Sequence, residues 1–187
     1  EVVAGEERGG GVGGGGRGGR AAGRLPEGAG APQAALAANT HCDLYLLSAR
    51  GQATRIGVHQ LPDGGSAPHW DLGGLKRADR IAAAFTARKA NGEPLEGYVV
   101  LATARGAVKR INLADLAAAA QANPQVIKLE ENDELAWAST SGGGGEIMLA
   151  TASGPVIRFA EDDVRPMGLP AGGIAGIQLA GNDRVVG

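Results

Sequence analysis

The chain has 187 residues, a formal net charge of −2, 43% hydrophobic residues, 33 glycines and only two each of Phe, Tyr and Trp. That composition supports one hydrophobic core, and no run of about 18 apolar residues or leader-type pattern offers a membrane span or signal segment. The single cysteine, Cys42, excludes an internal disulfide and fits a reducing, cytoplasmic compartment.

Residues 1–34 form the first segment, and its centre, 9–19, reads GGGVGGGGRGG. Such sequence has no apolar area with which to offset the entropy of ordering, so a flexible Gly-rich tail is predicted, with the folded part, 35–187, beginning near Ala35. The first strand pattern follows with Tyr45-Leu46-Leu47, a turn at Ala49-Arg50-Gly51 and a returning strand that carries Arg55, a hairpin over 44–61. A second hairpin over 98–113 runs from Tyr98-Val99-Val100-Leu101 through Ala104-Arg105-Gly106, and a third over 147–164 from Ile147-Met148-Leu149 through Ala152-Ser153-Gly154. Between them, the Ala-rich piece 114–122 reads either as one or two helical turns ended by Pro124 or as a loop.

These hairpins are one phrase written three times: LLSARGQATRI, LATARGAVKRI and LATASGPVIRF. Each has Leu, Ser or Thr two residues on, Gly five on, Arg nine on, and Ile or Phe ten on. The repeat glycines Gly51, Gly106 and Gly154 stand 55 and 48 residues apart, close to the roughly 40–50 residues of a four-stranded propeller blade. Each Gly closes its turn because it takes φ > 0 without a Cβ penalty. A fainter echo, LKRADRI, LEENDEL and LAGNDRV, places Asp79, Asp133 and Asp183 between 27 and 29 residues after the glycines, where an Asp caps a turn by accepting from nearby backbone N–H groups. The predicted class is therefore all-β, a propeller-like array of four-stranded antiparallel blades.

Catalytic patterns do not emerge. His41, His59 and His69 have no partner at metal-ligand spacing, the glycine-rich tail lacks the G-K-[ST] ending of a phosphate loop, and no G-x-S-x-G elbow occurs. Tyr45 and Tyr98 sit within strand patterns, Cys42 opens a strand as a small thiol, and Glu161-Asp162-Asp163 reads as a charged turn stopped by Pro166. No metal or cofactor is expected. The acids gather at 130–134 and 161–163, whereas Arg50, Arg55, Arg105, Lys109, Arg110 and Arg158 gather at the hairpins. Period-2 alternation puts Lys109 and Ile111 on one face of the middle returning strand and Val108 and Arg110 on the other. If every blade projects its hairpin to one rim, these cations form a stripe able to hold phosphate. Otherwise they are solvated charges that guard strand edges.

From Ile147 to Gly187 the sequence IMLATASGPVIRFAEDDVRPMGLPAGGIAGIQLAGNDRVVG resembles the C-terminal domain of the DNA gyrase and topoisomerase IV A subunits. The resemblance extends upstream through Val58-His59-Gln60-Leu61-Pro62 to Ala38-Asn39-Thr40-His41. It implies a β-pinwheel, a disc of blades that exchange strands, here an incomplete one, whose basic rim bends double-stranded DNA. Arg165, in the Asp-Val-Arg-Pro-Met-Gly motif, joins the rim set. A seven-residue box in that family's first blade is matched by Gly15-Gly16-Arg17-Gly18-Gly19-Arg20-Ala21, which keeps Arg17 and Arg20 but lacks the Gln, the first basic residue and the closing Gly. The resemblance thus implies DNA contacts by Arg17, Arg20, Arg50, Arg55, Arg105, Lys109, Arg110, Arg158 and Arg165. The partners it implies are the rest of the A subunit, together with the ATPase B subunit. The catalytic tyrosine would lie outside this chain. Weak, topoisomerase IV-like wrapping and a protein-interaction module are the alternative readings.

Overall fold

The computed structural model describes residues 2–6, 34–62, 69–88 and 95–187. Its first strands, β1 (Val2–Glu6) and β2 (Ala34–Ala38), pair in parallel. The first blade is a three-stranded antiparallel sheet of β3 (Cys42–Ser48), β4 (Ala53–Gly57) and β5 (Ile81–Arg88) in the order β4-β3-β5, with a short helix, α1 (His69–Gly73), inserted before β5. The second contains β6 (Tyr98–Thr103), β7 (Ala107–Asn112) and β8 (Leu135–Ser141), with α2 (Leu113–Ala119) between β7 and β8. In the third, β9 (Glu146–Ala150) pairs with β10 (Val156–Ala160). The last strand, β11 (Ile174–Ala175), lies past this hairpin in sequence yet pairs with β7, giving the second blade the order β11-β7-β6-β8. This is the strand exchange of a pinwheel.

The blades stack face to face, which is why their hairpin strands read as nearly continuous apolar runs rather than as clean alternation. Tyr45, Leu47 and Ala53 of the first blade meet Val99, Leu101 and Ile111 of the second in one cluster, where Tyr45 also stacks on Phe85 with ring centroids 5.2 Å apart. The opposite face of the second blade, with Val100, Ala102 and Val108, packs on Ile147, Leu149 and Val164 of the third. On the outer side of the first blade, Leu44, Leu46 and Ile56 are covered by Leu36 of β2, Leu72 of α1 and Leu75. The Ala-rich piece resolves into α2, followed by a 3-10 turn over Ala120–Ala122 that ends at Asn123 with φ 49°. Pro124 cannot continue it.

Every feature of the repeated phrase has a structural task. The glycines adopt φ of 78°, 88° and 111°, and their N–H groups bond Ser48, Thr103 and Thr151 carbonyls. The Ser or Thr hydroxyl reinforces the turn: Ser48 Oγ accepts from Gln52 N–H at 3.2 Å, and Thr103 Oγ1 from Ala107 N–H at 3.0 Å. Two of the glycines also admit a neighbour. A Cβ on Gly51 would stand 2.8 Å from Ile127, and one on Gly106 2.8 Å from Ile177, because the segments 124–127 and 174–177 cross the two turns in equivalent ways. Val126 N–H bonds Gly51 O at 2.7 Å, and Gly176 N–H bonds Gly106 O at 2.8 Å.

Candidate nucleic-acid interface

The hairpin turns line up along one edge through a repeated set of backbone bonds. Within each blade, Ala49, Ala104 and Ala152 N–H donate to the carbonyls of Arg80, Glu134 and Arg184, at 2.7, 2.9 and 2.8 Å. Between blades, Leu135 N–H donates to Ala49 O at 2.9 Å and Val185 N–H to Ala104 O at 3.0 Å. Two consecutive residues, Glu134-Leu135 or Arg184-Val185, therefore bridge each turn to the next, and the three turns sit side by side.

The echo aspartates secure this edge. Asp133 Oδ1 accepts from Arg105 N–H at 2.9 Å and Glu134 N–H at 2.8 Å. Asp183 Oδ1 repeats this with Ser153 N–H at 3.0 Å and Arg184 N–H at 2.8 Å, and its Oδ2 takes the Ser153 hydroxyl. These bonds, led by the one from Ser153, stabilise the ionised form and lower the Asp183 pKa to about 2. Asp79 instead accepts from Lys76 N–H at 3.0 Å and lies 3.5 Å from Arg50 Nε. All three carboxylates thus engage the residue just before the repeat Gly.

Arg50 and Arg105 occupy that position on the first two turns and are exposed, as is Arg165 beyond the third hairpin. Arg158 is also exposed, 3.3 Å from Glu146. The stripe expected from the repeat Arg and its neighbour is corrected by the structure, because stacked blades bury both faces of β7. Lys109 is fully buried, and its ammonium donates to the carbonyls of Val126, Leu169 and Ala171 at 2.8, 2.7 and 2.7 Å. Burial lowers its pKa to about 8. Arg110 is 5% exposed, lies over the Tyr98 ring at 4.4 Å, and reaches Asp162 at 2.9 Å and Glu161 at 3.4 Å in the third blade. Arg55 is half-buried, pairing with Asp43 at 3.7 Å and donating to Ala117 O of α2 at 3.2 Å. The repeat arginines of the first two blades are thus staples to the following blade, leaving Arg50, Arg105, Arg158 and Arg165 as the exposed members of the described set.

Comparison with known proteins gives this architecture a family. The family model for the DNA gyrase C-terminal domain, beta-propeller, matches residues 97–141 and 145–187, which hold the second and third hairpins. The DNA gyrase A protein of Salmonella typhimurium is 38% identical over 156 residues, 81% of this chain, and that of Escherichia coli is 36% identical over the same length. This chain belongs to the DNA gyrase A C-terminal domain family. The gyrase-type domain spans 17% of the length of those curated relatives. It also superposes on the C-terminal domain of DNA topoisomerase IV with a TM-score of 0.70 and 26% identity, covering 80% of this chain and 47% of that one. A gyrase A C-terminal domain structure shares the fold with a TM-score of 0.65 and 23% identity, covering 80% of this chain and 48% of that one.

The degenerate box of the gyrase-type domain, with Arg17 and Arg20, lies outside the described residues. Arg80 and Arg184, on the same edge as Arg50 and Arg105, were not among the expected contacts. Their signal was present in the echo, where Arg follows Asp in both ADRI and NDRV. Among the described residues no helix is long and apolar enough to cross a membrane.

Proposed function

We propose that this domain binds and bends double-stranded DNA for a type IIA topoisomerase A subunit, presenting the segment to a cleavage core elsewhere in the polypeptide. The observation that carries this reading is the alignment of hairpin turns along one edge, in a gyrase-family domain, with Arg50 and Arg105 exposed on adjacent turns. Arg17, Arg20, Arg158 and Arg165 complete the proposed phosphate contacts, and Arg55 contributes only through its half-exposed head. Lys109 and Arg110 act from inside, holding blades in register. The proposed partners are the rest of the A subunit, together with the ATPase B subunit, in the cytoplasm, with the catalytic tyrosine outside this domain.

Smoothly bending a 20–30 base-pair site costs on the order of 1–6 kcal/mol, so several phosphate contacts must act together. With two of the expected cations withdrawn into the fold and the box degenerate, weak wrapping of the topoisomerase IV kind is favoured over strong chiral wrapping. Binding of a labelled duplex at 50 and 200 mM salt tests the reading, since phosphate contacts by Arg50, Arg105, Arg158 and Arg165 alone give a log K slope of about −3.6, and Arg17 and Arg20 would steepen it. Salt-insensitive or absent binding counts against it. Ligating nicked plasmid with the domain bound then separates bending from chiral wrapping, because only the latter leaves a linking-number change.

A further inference from the structure

The three loops that clamp the turns share geometry but differ in charge. In the first, Leu75–Ile81, the positions between Leu and the aliphatic residue hold Lys76, Arg77 and Arg80, all exposed, beside the exposed Arg50. In the second, Leu129–Leu135, the same positions hold Glu130, Glu131 and Glu134, beside Arg105. In the third, Leu179–Val185, they hold Ala180, Gly181 and Arg184, beside Ser153. With the clamping Asp included, the three turn-and-loop sites carry formal charges of +3, −3 and 0. The first is the only one of the three that is cationic.

The equivalence of these sites is structural, since each loop supplies the Asp at the turn and the carbonyl that binds Ala49, Ala104 or Ala152 N–H. Stacked sheets lie about 10 Å apart. That is near the screening length of about 8 Å at physiological salt, so apart from groups in direct contact each site presents largely its own charge to a phosphate. The Asp79 carboxylate accepts from Lys76 N–H, and its side chain is fully buried, which takes the only acid of the first site away from an approaching anion. Arg80 of the first site is in direct contact with Glu134 of the second, at 2.8 Å.

We infer that Arg50, Lys76, Arg77 and Arg80 form the anchoring phosphate site for a DNA duplex on this edge, and that Glu130 and Glu131 of the next loop repel the backbone and turn the duplex away there. The inference rests on the DNA-binding reading above and locates it. Contact begins at the first blade, the trajectory leaves the edge at the second, and Arg105 meets phosphate only where the duplex passes its turn.

The test uses the full 187-residue chain and a fluorescently labelled duplex of about 40 base pairs, with anisotropy titrations between 50 and 200 mM KCl. K76S/R80S is expected to flatten the log K slope by about 1.8, that is, about 0.9 for each phosphate deprived of its cation. R50S, on the turn rather than the loop, is expected to flatten it by about 0.9, which keeps the inference testable if the loop variant melts early. E130Q/E131Q is expected to tighten binding several-fold at 50 mM and to lose that advantage at 200 mM. If the wild-type chain binds with a steep salt slope while K76S/R80S and R50S bind as it does, the anchoring site is overturned and DNA binding stands. An unchanged affinity in E130Q/E131Q overturns the repulsion. Absence of wild-type binding at every salt overturns both this inference and the DNA reading beneath it.

Discussion

Replacing Lys109 by Met isolates the contribution of one buried cation to blade stacking. The ammonium donates three hydrogen bonds of 2.7–2.8 Å, to Val126 in the strand-exchange segment of the first turn and to Leu169 and Ala171 beyond the third hairpin. Met fills similar space but donates nothing, so the Val126 and Leu169 carbonyls go without a donor at about 1–3 kcal/mol each, about 2–6 kcal/mol together, while Ala171 O keeps its bond from Lys128 N–H at 3.2 Å. Against this stands the desolvation that lowers the Lys109 pKa from 10.5 to about 8, up to about 3 kcal/mol of charge penalty that Met does not carry. The net expectation is a loss of about 2 kcal/mol, seen as a lower urea midpoint and a fall in Tm of about 4–8 °C for a chain of this size. The pH dependence gives an independent reading. A lysine whose folded pKa is depressed binds fewer protons folded than unfolded between about pH 8 and 10.5, so its contribution makes stability rise across that window, and the rise should vanish in K109M. A K109M protein within about 1 kcal/mol of wild type, or more stable, would refute the account of Lys109 as a three-way tie.

The other expectations follow from the same edge and its junctions. Gly51→Ala and Gly106→Ala each drive a Cβ to 2.8 Å from the crossing segment at φ of 78° and 88°, whereas Gly154→Ala at φ 111° meets nothing within 4 Å. Chemical denaturation should therefore show the first two losing about 2–4 kcal/mol and the third only the roughly 1–2 kcal/mol of left-handed backbone strain. Glu161→Gln leaves buried Arg110 with Asp162 as its remaining carboxylate and should cost about 2 kcal/mol by urea unfolding, with no change in duplex salt slope. Asp183 has a folded pKa depressed to about 2, so its stabilising contribution is complete above the ordinary carboxylate pKa and is lost as the pH falls through about 2. NMR titration should find that midpoint in the native protein and return it toward 3.8 in S153A.

Much of the fold can be read from spacing, because the repeated phrase is local. Leu46, Ser48 and Gly51, with their counterparts, specify a strand, a hydroxyl that closes a turn and a φ-permissive residue within a few positions, and the hairpins form where those residues stand. The Asp echo is legible for the same reason, since its spacing places a carboxylate where nearby backbone N–H groups can donate to it. Strand exchange is not legible in detail. Val126 and Gly176 reach turns about 70 residues earlier in the chain, and periodicity carries no signal of such a partner. The pairing of β1 with β2 spans the Gly-rich stretch and escapes local reading for the same reason. Alternation misplaces Lys109 and Arg110 because it assigns one wet face to a strand, whereas β7 lies between two blades and has none. The clue lies in their neighbours: Val108 and Ile111 are both fully buried, which a half-exposed strand does not require.

The division of labour among cations follows from where each lies in the repeat. A position inside the returning strand is committed to the next blade, so Arg55 and Arg110 must find acceptors there, a carbonyl of α2 in one case and two carboxylates in the other. Changing such a residue changes the fold before it changes any surface. Positions at the turn and in the clamp loop hold the turn through backbone groups and the Asp, so the clamp itself does not depend on the charge of the other side chains. Lys76, Glu130 and Ala180 occupy one such position and differ fully in charge while their loops clamp their turns alike. The surface charge of each blade can therefore be set independently of blade stability, and a disc of similar blades can carry an uneven track for a duplex.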